Sequence, residues 1–410
     1  MIRRIGMFLL ASAVVCASTV LASAQTASSP TAIQASSSPV AYVYVSRYIS
    51  SSGNNKVNAY AAGANGALTP VSGSPFPDNV GELALNGAWL FGVEATGSSA
   101  GQTINSYSIA SNGTLTLKNQ TVVNDSGGGV TSLLLDHTGS SLYANYYTTN
   151  NDCLSYSIDQ SNGALTYLSI YYQGPGHGCP MSFIANNKFA YSSSCYHFTP
   201  SIFGATRSSH GSLSPLSTNP ALPTPPPGTG FCPYVGAAAD PFNHVAVAVT
   251  PAQGGFGNND GATQLAVYTA DSSGNLTTKS TYQNMPKTAV VQTSGGTYSV
   301  NDYKMSPSGN LLAVAGPLGL QVFHFNGGNP ITHYTGLLTK DYINQLFWDK
   351  ANHLYAISTK AGKLFVFTVT PTSVTQAPGS PHNIPGIRKI KKIHPVAKST
   401  TGWRSTVAIR

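Results

Sequence analysis

The chain has 410 residues, of which only 8% are charged and 10% are aromatic, and it contains 41 glycines and 22 tyrosines. Disordered proteins combine high net charge with few aromatic residues, so this composition excludes a largely disordered chain. It favours short strands joined by many turns.

The N-terminus carries a predicted secretory signal peptide over residues 1–24. Arg3 and Arg4 precede an apolar stretch that runs to about residue 21, and Ala22-Ser23-Ala24 offers the small residues of a cleavage site. The stretch is short for a membrane span and includes Ser and Cys, so a transmembrane anchor is the weaker interpretation. Residues 25–40 are predicted to be a flexible lead-in, and the mature protein is predicted to be secreted or periplasmic, with no membrane span.

A motif of the form Gly-x-Leu-Thr recurs at intervals of roughly 50 residues. Five clear copies and two degenerate ones make seven, and they start at Gly66, Gly113, Gly163, Gly211, Gly274, Asn329 and Thr372. A period of this length built from short strands is typical of propeller blades. The sequence therefore predicts an all-β protein, a seven-bladed β-propeller over residues 41–387.

Each copy belongs to a longer pattern of four strands. Between residues 130 and 172, apolar and aromatic runs at 130–135, 142–147, 153–158 and 165–171 alternate with turns rich in Asp, Asn, Ser and Gly. Four antiparallel strands make one blade. The acids in such turns are interpreted as turn formers, namely Asp136, Asp240, Asp271 and Asp349.

The chain begins part-way through a blade. Residues 42–46, 57–60 and 68–71 have the pattern of a second, third and fourth strand, so the innermost strand of that blade is predicted to come from the C-terminus. Such a closure removes the free sheet edges that invite aggregation. Residues 384–390 and 405–409 both qualify, and the sequence does not choose between them.

Residues 388–410 contain seven basic residues and no acid, which accounts for most of the formal net charge of +8. A basic C-terminal tail that adds solubility is the simpler interpretation. Attachment to an anionic lipid, polysaccharide or nucleic acid is the alternative. Because no nucleic-acid-binding motif accompanies the tail, no nucleic-acid partner is predicted.

Besides Cys16 in the signal peptide, four cysteines are present: Cys153, Cys179, Cys195 and Cys232. An even number in an exported protein predicts disulfide bonds. All four are predicted on one face of the ring, formed by the loops between second and third strands and by the connections between blades; we call it the connection face. Three pairings remain open, including Cys179 with Cys195 across a hairpin. The close Cys-x-x-Cys spacing of zinc sites is absent, and no metal or other cofactor is predicted.

The blade pattern resembles that of the seven-bladed lactonase-like propellers, which include 6-phosphogluconolactonase-type and YVTN-repeat-like proteins. The resemblance is carried by Leu142-Tyr143-Ala144-Asn145, Tyr156-Ser157-Ile158 and Asn162-Gly163-Ala164-Leu165-Thr166, and it extends over residues 41–382. It implies hydrolysis of a sugar lactone. Enzymes of the family carry Gly-Pro-Arg-His at the start of an inner strand, whereas the matching places here begin at Gly128, Gly178 and Tyr298 and lack the Arg-His pair. No catalytic residue is therefore carried over.

Lactone hydrolysis needs a base to activate water and a cation or hydrogen-bond donor to hold the developing oxyanion. Glu94, at the end of a predicted second strand, and Asp302, at the start of a predicted inner strand, are the predicted catalytic residues. The other candidates for a ligand-binding role on the connection face are Glu82, His177, His197, Lys304 and Asp341. The site is predicted at the axial mouth, with residues 215–230 and 254–261 at its rim.

Two functions are compatible with this sequence. One is hydrolysis of a sugar lactone, and the other is non-catalytic binding of a glycan, peptide or protein at the ring face, where tyrosines offer contact area. A metal- or quinone-dependent redox propeller lacks a visible ligand set. We expect a monomer that takes a small-molecule or glycan ligand.

Overall fold

A computed structural model describes residues 38–46, 56–94, 102–123, 129–147, 152–172, 178–179, 182–196, 199–217, 220–234, 236–252, 261–291, 300–385 and 407–409. The predicted signal peptide, most of the lead-in and most of the basic tail lie outside these residues. Within them the regular structure is entirely β, and no helix has the length and apolar character needed to cross a membrane.

The strands form seven antiparallel sheets, which are the predicted seven blades. From the innermost strand outward, blade one has β30 (Val407–Ile409), β1 (Ala41–Ser46), β2 (Val57–Ala62) and β3 (Leu68–Pro70). Blade two has β4 (Val80–Leu85), β5 (Trp89–Glu94), β6 (Thr103–Ile109) and β7 (Leu115–Val122). Blade three has β8 (Gly129–Leu135), β9 (Ser141–Tyr147), β10 (Asp152–Ile158) and β11 (Leu165–Tyr171). Blade four has β12 (Ser182–Phe183), β13 (Phe189–Tyr196), β14 (Thr199–Arg207) and β15 (Leu213–Pro215).

Blade five has a divided inner strand, β16 (Gly230–Pro233) and β17 (Ala238–Ala239), followed by β18 (His244–Ala252), β19 (Gln264–Ala270) and β20 (Leu276–Thr278). Blade six has β21 (Asp302–Met305), β22 (Leu311–Gly316), β23 (Gly319–His324) and β24 (Thr332–His333). Blade seven has β25 (Gln345–Trp348), β26 (His353–Ser358), β27 (Lys363–Val369) and β28 (Val374–Gln376), and the short β29 (His382–Asn383) also pairs with β27.

The ring closes through the last residues of the chain. Val43 of β1 pairs with Ile409, and Val45 pairs with Val407. Of the two candidate segments, the one at 405–409 therefore supplies the closing strand. The other candidate begins at Ile384, whose backbone N–H donates to the Gly362 carbonyl at 2.9 Å within blade seven.

The repeated Gly-x-Leu-Thr motif forms the turn between the third and fourth strands of each blade. Gly163 has φ +76°, and a Cβ atom there would lie 2.5 Å from the indole of Trp89 in the preceding blade. Glycine is required because the backbone is left-handed and because the aromatic ring occupies the space of a side chain. The repeat is thus the place where an aromatic residue of one blade packs on the next.

Apolar side chains fill the spaces between adjacent blades rather than a single central core. One cluster joins blades two and three through Phe91, Ile104, Leu142 and Leu154, and comparable clusters join the other neighbouring pairs. Each blade is too thin to bury both of its faces alone, so the ring must be complete for every face to be covered.

The acids interpreted as turn formers lie in turns. Asp136, Asp240 and Asp349 are buried between the first and second strands of their blades, and each accepts a backbone N–H of the same turn. Asp271 lies in the exposed turn after β19 and accepts the amides of Ser273 and Asn275. These carboxylates are occupied by local structure.

Candidate functional site

Two disulfide bonds brace the connection face. Cys153 is bonded to Cys179, with Cα atoms 4.8 Å apart, and Cys195 is bonded to Cys232, with Cα atoms 5.4 Å apart. The antiparallel order of the strands places all four at the end of the blades where second and third strands are joined and where blades are connected. The pairing of Cys179 with Cys195, which the sequence left open, does not occur.

The inner strands of blades two and three are irregular near this face. The register of β4 against β5 shifts between Val80 and Leu83, and that of β8 against β9 shifts between Val130 and Ser132. Bulges of this kind re-aim side chains and are frequent beside functional sites. The bulge of blade two includes Glu82, which is only 7% exposed, and the bulge of blade three includes Thr131.

Asn145 connects the bulge of blade three to a disulfide. Its Nδ2 donates to Thr131 Oγ1 at 2.9 Å, and its Oδ1 accepts the backbone N–H of Cys179 at 3.1 Å. The Asn145 carboxamide is therefore held through both its nitrogen and its oxygen, which fixes its orientation on this face.

Glu94 lies at the end of β5, opposite Val80 at the beginning of the inner strand. The Thr103 hydroxyl donates a hydrogen bond to Glu94 Oε2. Among the residues that the structure describes, Glu94 Oε1 has no hydrogen-bond or ion-pair partner. The half-buried carboxylate is thus oriented by one oxygen and leaves the other available, as a general base requires.

A second carboxyl, Asp78, acts on the same tyrosine as Glu94 and was not predicted from the sequence. Burial raises the pKa of Asp78, and a hydrogen bond with the Tyr107 side chain offsets part of that rise. Burial also raises the pKa of Tyr107, and the negative charges of Asp78 and Glu94 add to the effect. Both carboxyl groups therefore act on one phenol. The only signal in the sequence is the position of Asp78 in a connection between blades, just before an inner strand.

Asp302 and Lys304 are brought together, as neighbours on one side of β21. Lys304 Nζ lies 3.3 Å from Asp302 Oδ1, and the backbone N–H of Leu346 donates to Asp302 Oδ2 at 2.8 Å. Both oxygens of Asp302 are therefore occupied, one by a cation and one by the inner strand of blade seven. This arrangement fits a link between blades six and seven better than a free catalytic base.

The remaining candidates do not converge on Glu94. Asp341 was predicted within or at the start of an inner strand but lies in the connection before β25, and its Oδ2 is 3.5 Å from Lys363 Nζ. His177, His197 and the predicted rim at 254–261 lie outside the described residues, apart from Gly261. The described residues of the other predicted rim, 215–230, include Ala221, whose carbonyl accepts the Tyr268 hydroxyl of blade five at 3.2 Å. Within the described part of the chain, no three His, Cys, Asp or Glu side chains are grouped closely enough to hold a metal ion.

No protein-family model matches the sequence, and no curated protein matches it. Solved structures do resemble the fold. A candidate 6-phosphogluconolactonase from Bacteroides uniformis is 11% identical, with a TM-score of 0.59 over 84% of this chain and 96% of that chain. A second candidate 6-phosphogluconolactonase, from Bacteroides fragilis, is 14% identical, with a TM-score of 0.57 over 84% of this chain and 95% of that chain.

The periplasmic gluconolactonase of Pseudomonas aeruginosa is 16% identical, with a TM-score of 0.53 over 84% of this chain and 98% of that chain. At such identities the likeness is one of fold. These structural neighbours are thus 6-phosphogluconolactonase-like proteins, and the chain shares their fold along nearly their whole length.

Proposed function

We propose that the protein hydrolyses a sugar lactone on the connection face of blade two, with Glu94 as the general base. The observation that carries the proposal is the carboxylate of Glu94, which is oriented by Thr103 through one oxygen and has its second oxygen unpartnered among the described residues. The named activities of the structural neighbours support the choice of substrate class.

In the proposed reaction, Glu94 takes a proton from water as the oxygen of that water forms a bond to the lactone carbonyl carbon. The tetrahedral intermediate collapses by breaking the bond between that carbon and the ring oxygen, which leaves a carboxylic acid. This acid releases the second proton of the water to solvent and becomes the product carboxylate. The departing ring oxygen needs a proton to become a hydroxyl. Asp78 is suited to supply it, because burial raises the pKa of its carboxyl.

The test is a pH-stat assay of the purified protein on a panel of sugar lactones, measured above their spontaneous hydrolysis. Glu94→Gln keeps the shape of the side chain and removes the base, so it should lower kcat by roughly 100-fold or more. Asp341→Asn is the matched control, because Asp341 is a carboxylate in the connection before β25 and is paired with Lys363. Equal turnover in the wild type and Glu94→Gln would refute the role of Glu94.

Asp302→Asn separates the two carboxylates that the sequence predicted to be catalytic. With both oxygens of Asp302 occupied, we expect this variant to lose stability while keeping turnover per folded molecule. A loss of turnover without a loss of stability would move the catalytic centre to blade six.

Non-catalytic binding of a glycan, peptide or protein at the same face is the second candidate. It is favoured by the occupied Asp302 carboxylate and by the absence of the Arg-His pair at the family positions. No turnover on any lactone, together with glycan binding that Glu94→Gln weakens, would support this function instead.

We further propose that the protein works outside the cytoplasm after cleavage of residues 1–24. The two disulfide bonds support this location, because such bonds persist in oxidising compartments. N-terminal sequencing of the protein recovered from a periplasmic or culture-medium fraction would test it, and a retained Met1 would contradict it.

A further inference from the structure

A cavity of about 590 Å³ lies at the outer rim of the ring, between blade five and the outermost strand of blade six. Its wall includes Gln264 at the start of β19, Tyr282, Met285 and Lys287 from the segment after β20, and Ile331 and His333 beside or within β24. Cavities of this size hold small organic ligands. It lies three blades away from Glu94, and no part of the proposed lactone chemistry uses it.

The formal charge on this wall comes from Lys287, and His333 is a second basic side chain. Lys287 and His333 are both exposed, and none of the described residues that line the cavity is an acid. Lys287 Nζ lies 5.9 Å from the centre of the Tyr282 ring, which holds the cation over an aromatic face. The ring of His333 packs on Phe323, with ring centres 5.4 Å apart. Two oriented basic side chains without a neutralising acid favour an anionic ligand.

The wall also contains a buried hydrogen-bond acceptor without a partner. Gln264 is 1% exposed, and its Nε2 donates to the carbonyls of Tyr282 and Met285 at 2.9 Å each. These bonds fix the orientation of the carboxamide within the loop that walls the cavity. Its Oε1 accepts no hydrogen bond from any described residue. Because an unsatisfied buried acceptor is costly, this atom calls for a donor such as a hydroxyl group.

Two buried apolar side chains complete the wall. Met285 is 5% exposed and Ile331 is 2% exposed, and both line the cavity, so the small surface that each leaves there is apolar within a lining that is otherwise largely polar. The C–H face of a sugar ring suits such a surface, while the hydroxyl groups around the ring supply donors.

We propose that this cavity is a binding site for an anionic monosaccharide. The carboxylate or phosphate of the ligand contacts Lys287 and His333, a ligand hydroxyl donates towards Gln264 Oε1, and the sugar ring covers Met285 and Ile331. The proposal stands independently of the proposed lactone hydrolysis.

Isothermal titration calorimetry of the purified protein tests the site with four probes: gluconate, galacturonate, glucose 6-phosphate and neutral glucose. We expect at least one of the three anions to bind at least about tenfold more tightly than glucose, because charge-assisted hydrogen bonds are worth more than neutral ones. Binding of the two sugar acids but not the phosphate would identify a carboxylate ligand, and the reverse would identify a phosphate ligand. Failure of all three anions to bind more tightly than glucose would overturn the proposal.

The variants Lys287→Ala and His333→Ala test whether the anion binds in this cavity. Both side chains are exposed, so each variant should fold, and its affinity for the anion should fall by about tenfold or more. Lys279→Ala is the matched control, because Lys279 is an exposed lysine of the same blade that does not line the cavity. Anion binding that persists unchanged in both cavity variants would refute the assignment. Lactone turnover should be the same in all three variants, so that failure of this site and failure of the lactonase proposal are distinguishable.

Discussion

The Tyr143 hydroxyl of blade three donates a hydrogen bond to the Gly211 carbonyl of blade four at 2.8 Å. The same relationship joins Tyr44 of blade one to Gly113 of blade two at 2.8 Å, and Tyr191 of blade four to Gly274 of blade five at 2.7 Å. In each pair the tyrosine lies in a second strand and the glycine begins the Gly-x-Leu-Thr motif of the next blade. The repeat in the sequence therefore marks the contact between neighbouring blades.

Tyr143→Phe should lower the free energy of unfolding by about 1–2 kcal/mol, because the Gly211 carbonyl and Arg207 Nε both lose a buried partner. Burial raises the pKa of Tyr143 to about 12, so the hydroxyl keeps its proton and remains a donor at neutral pH. Urea unfolding followed by far-UV circular dichroism measures the change. Tyr167→Phe is the control, because Tyr167 is 54% exposed. Equal losses in the two variants would contradict the role of the contact between blades.

Gly163→Ala and Gly228→Ala separate backbone strain from the contact between blades. Both glycines have φ +76°, but a Cβ atom on Gly163 would lie 2.5 Å from Trp89, whereas one on Gly228 would have no atom within 4 Å. Each variant should lose about 1 kcal/mol of stability, because alanine is strained in the left-handed backbone conformation. Gly163→Ala should lose about a further 1–3 kcal/mol of stability because of overpacking against Trp89. Differential scanning calorimetry would show the larger fall in Tm for Gly163→Ala, and identical falls would exclude the packing contribution.

Asp136 should make stability depend on pH. Burial alone would raise the pKa of its carboxyl, but hydrogen bonds from Thr138, Asn187 and the Ser141 amide, together with the charge of Arg207 at 3.0 Å, lower it below the ordinary value. The folded state therefore favours the ionised form. Its stabilisation is complete above the unfolded pKa of about 3.9 and is lost as pH falls through the lower folded value.

Asp136→Asn should therefore lower the free energy of unfolding by about 2 kcal/mol at pH 7, and this difference from the wild type should shrink as pH falls below 4. Urea midpoints measured between pH 7 and pH 2.5 test this dependence. Asp271→Asn, in an exposed turn, should show a smaller difference at pH 7. A difference between the wild type and Asp136→Asn that is constant with pH would show that ionisation of Asp136 is not involved.

Peptide mapping under non-reducing conditions should recover Cys153 linked to Cys179 and Cys195 linked to Cys232. The double substitution Cys195→Ser/Cys232→Ser should lower stability by about 2–4 kcal/mol, because the bond closes a loop with a sequence separation of 37 residues. Lactone turnover per folded molecule should persist, because this bond is in blades four and five whereas Glu94 is in blade two. Recovery of a Cys179–Cys195 peptide would contradict the pairing.

Part of the candidate site was accessible from the sequence. The position of Glu94 at the end of a second strand was predicted from the repeat, and β5 does end at Glu94. Asp78 was not predicted, because its nearness to Tyr107 depends on how a connection between blades returns to the ring. The occupied state of Asp302 was equally inaccessible, since the amide of Leu346 belongs to a different blade.

The sequence by itself determined the all-β class, the number of blades and the strand order within each blade, because these follow from local turn chemistry repeated at a fixed period. The tertiary structure alone decided that Val407–Ile409 closes the ring, that Cys153 pairs with Cys179, and that a cavity lies between blades five and six. Each of these depends on which residues meet across the ring. Periodicity places residues within a blade, but contacts between distant segments depend on closure of all seven blades.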